Sequence, residues 1–242
     1  MKKVSVQNRL KRSKPGVLAL FDPDRIPAPH IKKLTEFVCE QEVAAILVGS
    51  SLLISHNFDG FVASVKKSAD KPIILFPGCS HQICSHADAI FFLSLLSGRN
   101  PEFLIGEHVK SVFLIKEYDL EVIPVGYILI ESGGFTAVEY MSNTRAIPRL
   151  KPEIAVAHAL AGTFLGMSHI YLEAGSGGSR PVPRNTVRHV KKAIDIPLIV
   201  GGGIKTARDA KGILEAGADF IVLGSIIEKS PNQFKEIMRS LG

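Results

Sequence analysis

Eight short apolar runs recur along the chain, and this spacing limits the fold more than any other feature. They are VLALF (17–21), AAILV (44–48), PIILF (72–76), AIFFL (89–93), VGYILI (125–130), HIYLE (169–173), PLIVG (197–201) and FIVLG (220–224). Runs this apolar suit strands covered on both faces, as in a parallel sheet. Helical patterns lie between them. Val187, Val190 and Ile194 recur at i, i+3 and i+7, and so do Ala207, Ala210 and Leu214. Eight strands alternating with helices in 242 residues predict one α/β domain over 1–242, a (β/α)8 TIM barrel. A doubly wound sheet would use fewer strands at this length. The segment CSHQICSHA leaves little room for a third helix, which is expected to be short or irregular.

In such a barrel, chemistry gathers at the carboxyl ends of the strands. Three of these ends are rich in glycine: AGSGG after the sixth run, GGGI after the seventh and GS after the eighth. Glycines permit close backbone approach, and free N–H groups at such turns hold an oxyanion. One such loop is satisfied by a tight turn alone; three together favour a bound phosphate. The first run ends in Asp22-Pro23-Asp24. Asp22 is expected nearest the mouth, while Asp24 has the alternative of capping the next turn. A carboxylate facing a phosphate repels it unless a cation intervenes, and Mg²⁺ bridges carboxylates to phosphates. Ser51, after the second run, would add a hydroxyl ligand or serve as a helix N-cap; both readings stand. Cys79, His81, Cys84 and His86 have the composition of a zinc site but not its usual spacing, and they must also form the third connection.

Composition narrows the remaining classes. The net charge of +6 suits an anionic substrate or surface. The basic residues are dispersed apart from the N-terminal MKKVSVQNRLKRSKPG, there is no Trp, and no nucleic-acid-binding motif occurs. No apolar run of spanning length and no signal-peptide core is present. An odd count of three cysteines argues against a disulfide framework and for a reducing cytoplasm.

LFDPD, ILVGSS, FPG, FLSLLSGRNP, YMSNTRAIPRLKPEIAVAHALAG, YLEAGSGG and VGGGI together resemble the geranylgeranylglyceryl and heptaprenylglyceryl phosphate synthases over about residues 8 to 235. Among these the chain is similar to the larger-subunit branch of archaea and Bacteroidetes-type bacteria. The resemblance implies ether formation between the C3 hydroxyl of sn-glycerol 1-phosphate and a polyprenyl diphosphate, with geranylgeranyl the leading donor and heptaprenyl the alternative. It implies Asp22 and Ser51 as ligands of Mg²⁺ under the departing diphosphate, and Asp22 and Glu173 as catalytic residues. Glu173 would orient the glycerol hydroxyl and accept its proton. Tyr171, Leu172, Glu173, Ala174, Gly175, Ser176, Gly177, Gly202, Gly203, Gly224 and Ser225 would bind glycerol phosphate.

Where many relatives have Gly-Asn after the eighth strand, this chain has Gly224-Ser225, which keeps the backbone donor. Arg99 and Asn100 would face the diphosphate. The prenyl tail would lie along FFLSLL and YILIESGGFTAVEYM. A homo-oligomer is expected from the family, and transient membrane contact from the hydrophobic product, aided by the basic N-terminus. The residues by themselves also admit a sugar-phosphate isomerase or aldolase, or a barrel that binds phosphate without turnover.

Overall fold

The computed structural model describes residues 5–242; the first four, with Lys2 and Lys3 of the basic N-terminal stretch, lie outside the described residues. Eight parallel strands close into a barrel in sequence order. They are β1 (Gly16–Phe21), β2 (Ala45–Val48), β3 (Ile73–Leu75), β4 (Ala89–Leu95), β5 (Glu121–Leu129), β6 (His169–Glu173), β7 (Leu198–Gly201) and β8 (Phe220–Leu223). Each falls on one of the eight apolar runs. Pairing of Gly16 with Phe220 and Ala19 with Leu223 closes the ring.

The helices among the described residues are α1 (Val6–Arg12), α2 (Ile31–Cys39), α3 (Phe58–Ser68), α4 (Glu107–Glu117), α5 (Ala137–Ser142), α6 (Pro152–Phe164), α7 (Arg184–Ala193), α8 (Ala207–Glu215), α9 (Ser225–Lys229) and α10 (Pro231–Leu241). The third connection, 76–88, contains turns but no helix. A π-helical turn, Glu102–Gly106, leads into α4. The expected α7 face holds, with Val187, Val190 and Ile194 buried. On α8 the buried set is Ala210, Gly212 and Ile213, while Ala207 and Leu214 are half-buried. Gly212 is on the buried face, and the Arg184 side chain packs where a Cβ at that position would sit.

Strand alternation divides the core into two layers. Leu18, Leu47, Phe91, Val125, Tyr171 and Phe220 fill the barrel. Ile46, Ile90, Ile128, Leu172 and Val200 point outward under the helices. Val6 and Leu10 of α1 join the inner layer and close the floor. The Glu121 carboxylate, at the start of β5, accepts from the N–H groups of Val6 and Gln7 and the Ser5 hydroxyl, at 2.6, 3.0 and 2.6 Å. Helix N-termini favour such a negative partner. The basic α1 therefore sits at the end of the barrel remote from the strand carboxyl ends.

Candidate active site

A cavity of about 370 Å³ opens among the strand carboxyl ends and continues along the outside of β4. Its polar end holds Asp22, Ser50, Ser51, Glu173, Gly202, Gly203, Gly224 and Ser225. Alternation on β6 separates the residues of YLEAGSG. Tyr171 and Glu173 face the interior, and Ser176 and Gly177 reach the cavity. Leu172 and Ala174 face the helices, so their side chains do not reach it. Ala174 contributes instead through its N–H, which donates to the Gly201 carbonyl at 3.0 Å. Gly175, at φ 90°, directs its N–H to Glu173 Oε1 at 2.5 Å.

Glu173 is 6% exposed. Burial drives its carboxyl up to about 7, against the pull of the Gly175 N–H and the phenols of Tyr171 and Tyr127. Desolvation penalises the charged form, so an enclosed carboxyl holds its proton longer. The Tyr171 ring stacks on Phe76 and on Tyr127, at centroid distances of 5.4 and 5.1 Å, and those two rings lie 6.1 Å apart, so the three form a triangular cluster. Its hydroxyl lies close enough to favour the Glu173 anion, yet no hydrogen bond joins it to any described residue. A buried unpaired donor invites a ligand. Two glycines make room for this pair. A Cβ on Gly202 would collide with Glu173 Oε1, and one on Gly201 with the Tyr171 hydroxyl.

The N–H groups of Ser176, Gly177, Gly203 and Ser225 donate to no other group among the described residues. With Gly202 and Gly203 at φ 79° and 68°, these loops present N–H groups beside Glu173, the kind of geometry that can receive an oxyanion.

Asp22 stands across the mouth. Its carboxylate accepts from the Asp24 N–H at 3.0 Å, pairs with Arg25 at 3.2 Å and meets the Ser50 hydroxyl at 3.4 Å. Burial raises its pKa, against the Asp24 N–H and Arg25. Ser50 is thus the hydroxyl beside Asp22, with Ser51 next along the wall. Ser51 is not a helix cap, because Asn57 caps α3. Asp24 does not cap its own turn; it accepts from the N–H groups of Ile54 and Ser55 at 2.9 and 2.7 Å and ties down the next loop.

Arg99 and Asn100 do not line the cavity. Arg99 bonds the carbonyls of Leu96 and Gly98, and Asn100 bonds the Ser142 carbonyl. Of the Cys/His group, Cys79 Sγ and His81 Nδ1 lie 3.9 Å apart, but Cys84 is buried. No three His, Cys, Asp or Glu side chains converge among the described residues.

The sequence reading gives no role to Phe76 or His108, and it meets Ser50 only within ILVGSS and Tyr127 only as the first residue of a tail-lining stretch, yet all four are at the cavity wall. Tyr127 carries a signal: a lone phenol in VGYILI, in phase with the inward Val125 and Leu129.

The closed barrel, with glycine loops and a buried carboxyl gathered at the carboxyl ends of its strands, has the architecture of a (β/α)8 enzyme. Thiamine phosphate pyrophosphorylase from Pyrococcus furiosus shares this fold, with a TM-score of 0.62 over 98% of this chain and 96% of its own at 14% identity. The chain belongs to the PcrB family, whose model matches residues 8–241. It is 47% identical to the geranylgeranylglyceryl phosphate synthase of Pyrococcus horikoshii, over 87% of this chain and 83% of that one. For the synthase of Spirosoma linguale the identity is 42% over 90% and 88%. A crystal structure of (S)-3-O-geranylgeranylglyceryl phosphate synthase from Thermoplasma acidophilum, in complex with its substrate sn-glycerol-1-phosphate, matches with a TM-score of 0.92. That match has 35% identity and covers 99% of this chain and 98% of that one.

Proposed function

We infer that this chain is a prenyltransferase, a geranylgeranylglyceryl phosphate synthase that joins the C3 hydroxyl of sn-glycerol 1-phosphate to C1 of a polyprenyl diphosphate. The observation that carries this reading is the position of Glu173, a buried carboxyl titrating at about 7 between an oxyanion-binding surface and an apolar groove. Phosphate bound at Gly177, Gly203 and Ser225 brings the glycerol hydroxyls toward Glu173. Tyr171 supplies the missing hydrogen bond to the substrate. Glu173 accepts the C3 hydroxyl proton as the new C–O bond forms and the bond from C1 to diphosphate breaks. A general base in this role contributes about 10²- to 10⁴-fold.

The oxygens of Asp22, Ser50 and Ser51 suit Mg²⁺, which takes few protein ligands and completes its shell with phosphate and water. Bound there, it would neutralise the departing diphosphate. Asp22 would exchange its Arg25 partner for the ion, freeing the guanidinium for a phosphate oxygen.

The tail fits the apolar continuation of the cavity. The helix-free third connection leaves the outer face of β4 open, where Ile90 and Phe92 line the cavity, while Phe103 and Val138 line it from the inner layer and Met141 of α5 completes the wall. Self-assembly belongs to the same proposal, because α4 exposes Val109, Val112 and Phe113. Membrane contact is best supported at the mouth, where Leu52 and Ile54 are exposed, rather than at α1. Three free thiols suit a reducing cytoplasm.

The test is a product assay with labelled sn-glycerol 1-phosphate, Mg²⁺, and C20 or C35 diphosphate in separate reactions. EDTA and sn-glycerol 3-phosphate serve as controls. A metal-dependent C20 ether is expected. A C35 ether alone would reassign the donor. Sugar-phosphate turnover without a prenyl donor would replace the reading.

A further inference from the structure

The chain after the AGSGG loop of β6 continues as Ser179-Arg180-Pro181 and packs against the β7 loop. A Cβ on Gly203 would collide with the Arg180 carbonyl and the Pro181 nitrogen. Proline restricts its own backbone and that of the residue before it. Val182 is 1% exposed, and the Ser179 hydroxyl donates to the Ser132 carbonyl. The segment is thus anchored at both ends, beside the two loops whose N–H groups face the cavity.

Three cations gather on it. Arg180 belongs to the segment and is exposed. Lys205, exposed on the β7 loop, donates from Nζ to the Ser179 carbonyl at 3.4 Å. Arg149 Nη1 donates to the carbonyls of Pro181 and Glu131 at 2.9 and 3.0 Å. Among the described residues, none of the three makes an ion pair with a carboxylate. Burial holds the Arg149 guanidinium below its ordinary range, the charge of Arg180 lowers it further, and Glu131 opposes both. Asp209, on the next helix, is taken up in the capping box of α8. Like charges held together without a partner repel, and an anion nearby relieves them. The surface that can receive one is next to them. Gly177, Gly202 and Gly203 line the cavity, whereas Arg149, Arg180 and Lys205 stand outside it.

We propose that Arg180 and Lys205, backed by Arg149, form a cationic collar that draws a phosphate dianion onto the β6 and β7 loops through its field, without touching it. This rests on the reading above in which those loops hold the phosphate of sn-glycerol 1-phosphate. Clustered charge of one sign beside a cleft raises the local concentration of an oppositely charged ligand. Because the collar is exposed, its effect is screened by salt. Because it makes no bidentate contact with the anion, arginine and lysine are interchangeable there, which a directly bonded guanidinium would not allow.

The experiment measures the affinity for sn-glycerol 1-phosphate and, separately, for inorganic phosphate by calorimetry. It compares wild type, Arg180→Ala with Lys205→Ala, and Arg180→Lys with Lys205→Arg. The salt concentrations are about 0.01 M and about 1 M, where the screening length is about 30 Å and about 3 Å. The alanine pair should bind both ligands about tenfold more weakly than wild type at low salt. At high salt the two should agree within about twofold. The exchanged pair should follow wild type at both salts. An alanine pair that matches wild type at low salt overturns the inference. So does a deficit that persists undiminished at high salt, which would mark a direct contact or a disturbed loop. A wild type that binds neither ligand overturns both the inference and the phosphate-loop reading. Salt-dependent phosphate binding that the alanine pair loses, in a protein that forms no ether, upholds the collar and overturns the prenyltransferase reading.

Discussion

A carboxyl group enclosed in protein loses the water that stabilises its anion, and a nearby donor restores part of it. Glu173 experiences both effects. Burial raises it to about 7, while the Gly175 N–H holds it from rising further. In the proposed role of base it must be ionised to accept a proton. Activity should therefore increase as pH rises through about 7 and level off above, a profile read from kcat against pH. Glu173→Gln should lose about 10²- to 10⁴-fold in kcat and keep glycerol phosphate affinity within severalfold, by calorimetry. An unaltered kcat would remove Glu173 from the chemistry. Much of this residue's setting can be read from the sequence. The position directly after HIYL, before a glycine loop, marks a strand-end carboxylate. The near-neutral titration cannot be read there, because it depends on Tyr171, Tyr127 and Gly201–Gly202 meeting from three different strands. The division of YLEAGSG into cavity-facing and helix-facing residues follows from the period of two. The glycerol phosphate set includes Leu172 and Ala174 only because the resemblance carries whole motifs rather than faces.

Among the elements, α5 shows how a short helix is held at a site. Its six residues, Ala137–Ser142, are too few to be helical alone. A capping box at Thr136 and Glu139 satisfies the first N–H groups, and Thr136 also packs against Gly175, where a Cβ would collide with it. Thr136→Ala should lower stability by about 1 kcal/mol in chemical denaturation. A wild-type denaturation midpoint in this variant would contradict the role of the cap. The signal T-A-V-E is present in the sequence, but FTAVEYM reads there only as a tail-lining stretch. The third connection is the opposite case. Its lack of space is evident from CSHQICSHA, whereas the groove its missing helix leaves open is visible only with β4 and α4 in place. α1 escapes sequence reading because Val6 and Leu10 are its two buried residues, in a heavily basic stretch. Two apolar residues four apart make no distinct pattern.

At the scale of the molecule, the two ends of the barrel carry different burdens. The mouth stores a carboxyl that resists ionisation, and the floor stores an imidazole that resists protonation. His169, at the start of β6, is 2% exposed, and its Nε2 has no partner among the described residues. Burial holds it down to about 4, aided by the positive charge of Lys14 and opposed by Asp219. The folded state thus binds this proton less readily than the unfolded chain, whose histidine titrates near 6.5. The stability His169 contributes is full above pH 6.5 and is lost as pH falls toward 4, by roughly 3 kcal/mol. The Tm should fall over that window, and His169→Leu should flatten the fall. An equally steep decline in the variant would place the acid sensitivity elsewhere. The basic α1 beside this floor is occupied in closing the barrel, which is why its charge does not serve the mouth.

The sequence by itself determined where the strands lie, their parallel arrangement, the family and the carboxylates at the first and sixth strand ends. Each of these is local: an apolar run, a period or a motif contiguous in the chain. The tertiary structure decided which of the strand-end groups meet. It set Ser50 rather than Ser51 beside Asp22, turned Arg99 and Asn100 away from the cavity, clustered Tyr171 with Phe76 and Tyr127, and placed His108 on the cavity wall. Those relations join residues tens of positions apart, and closure of the barrel is what gives them distances.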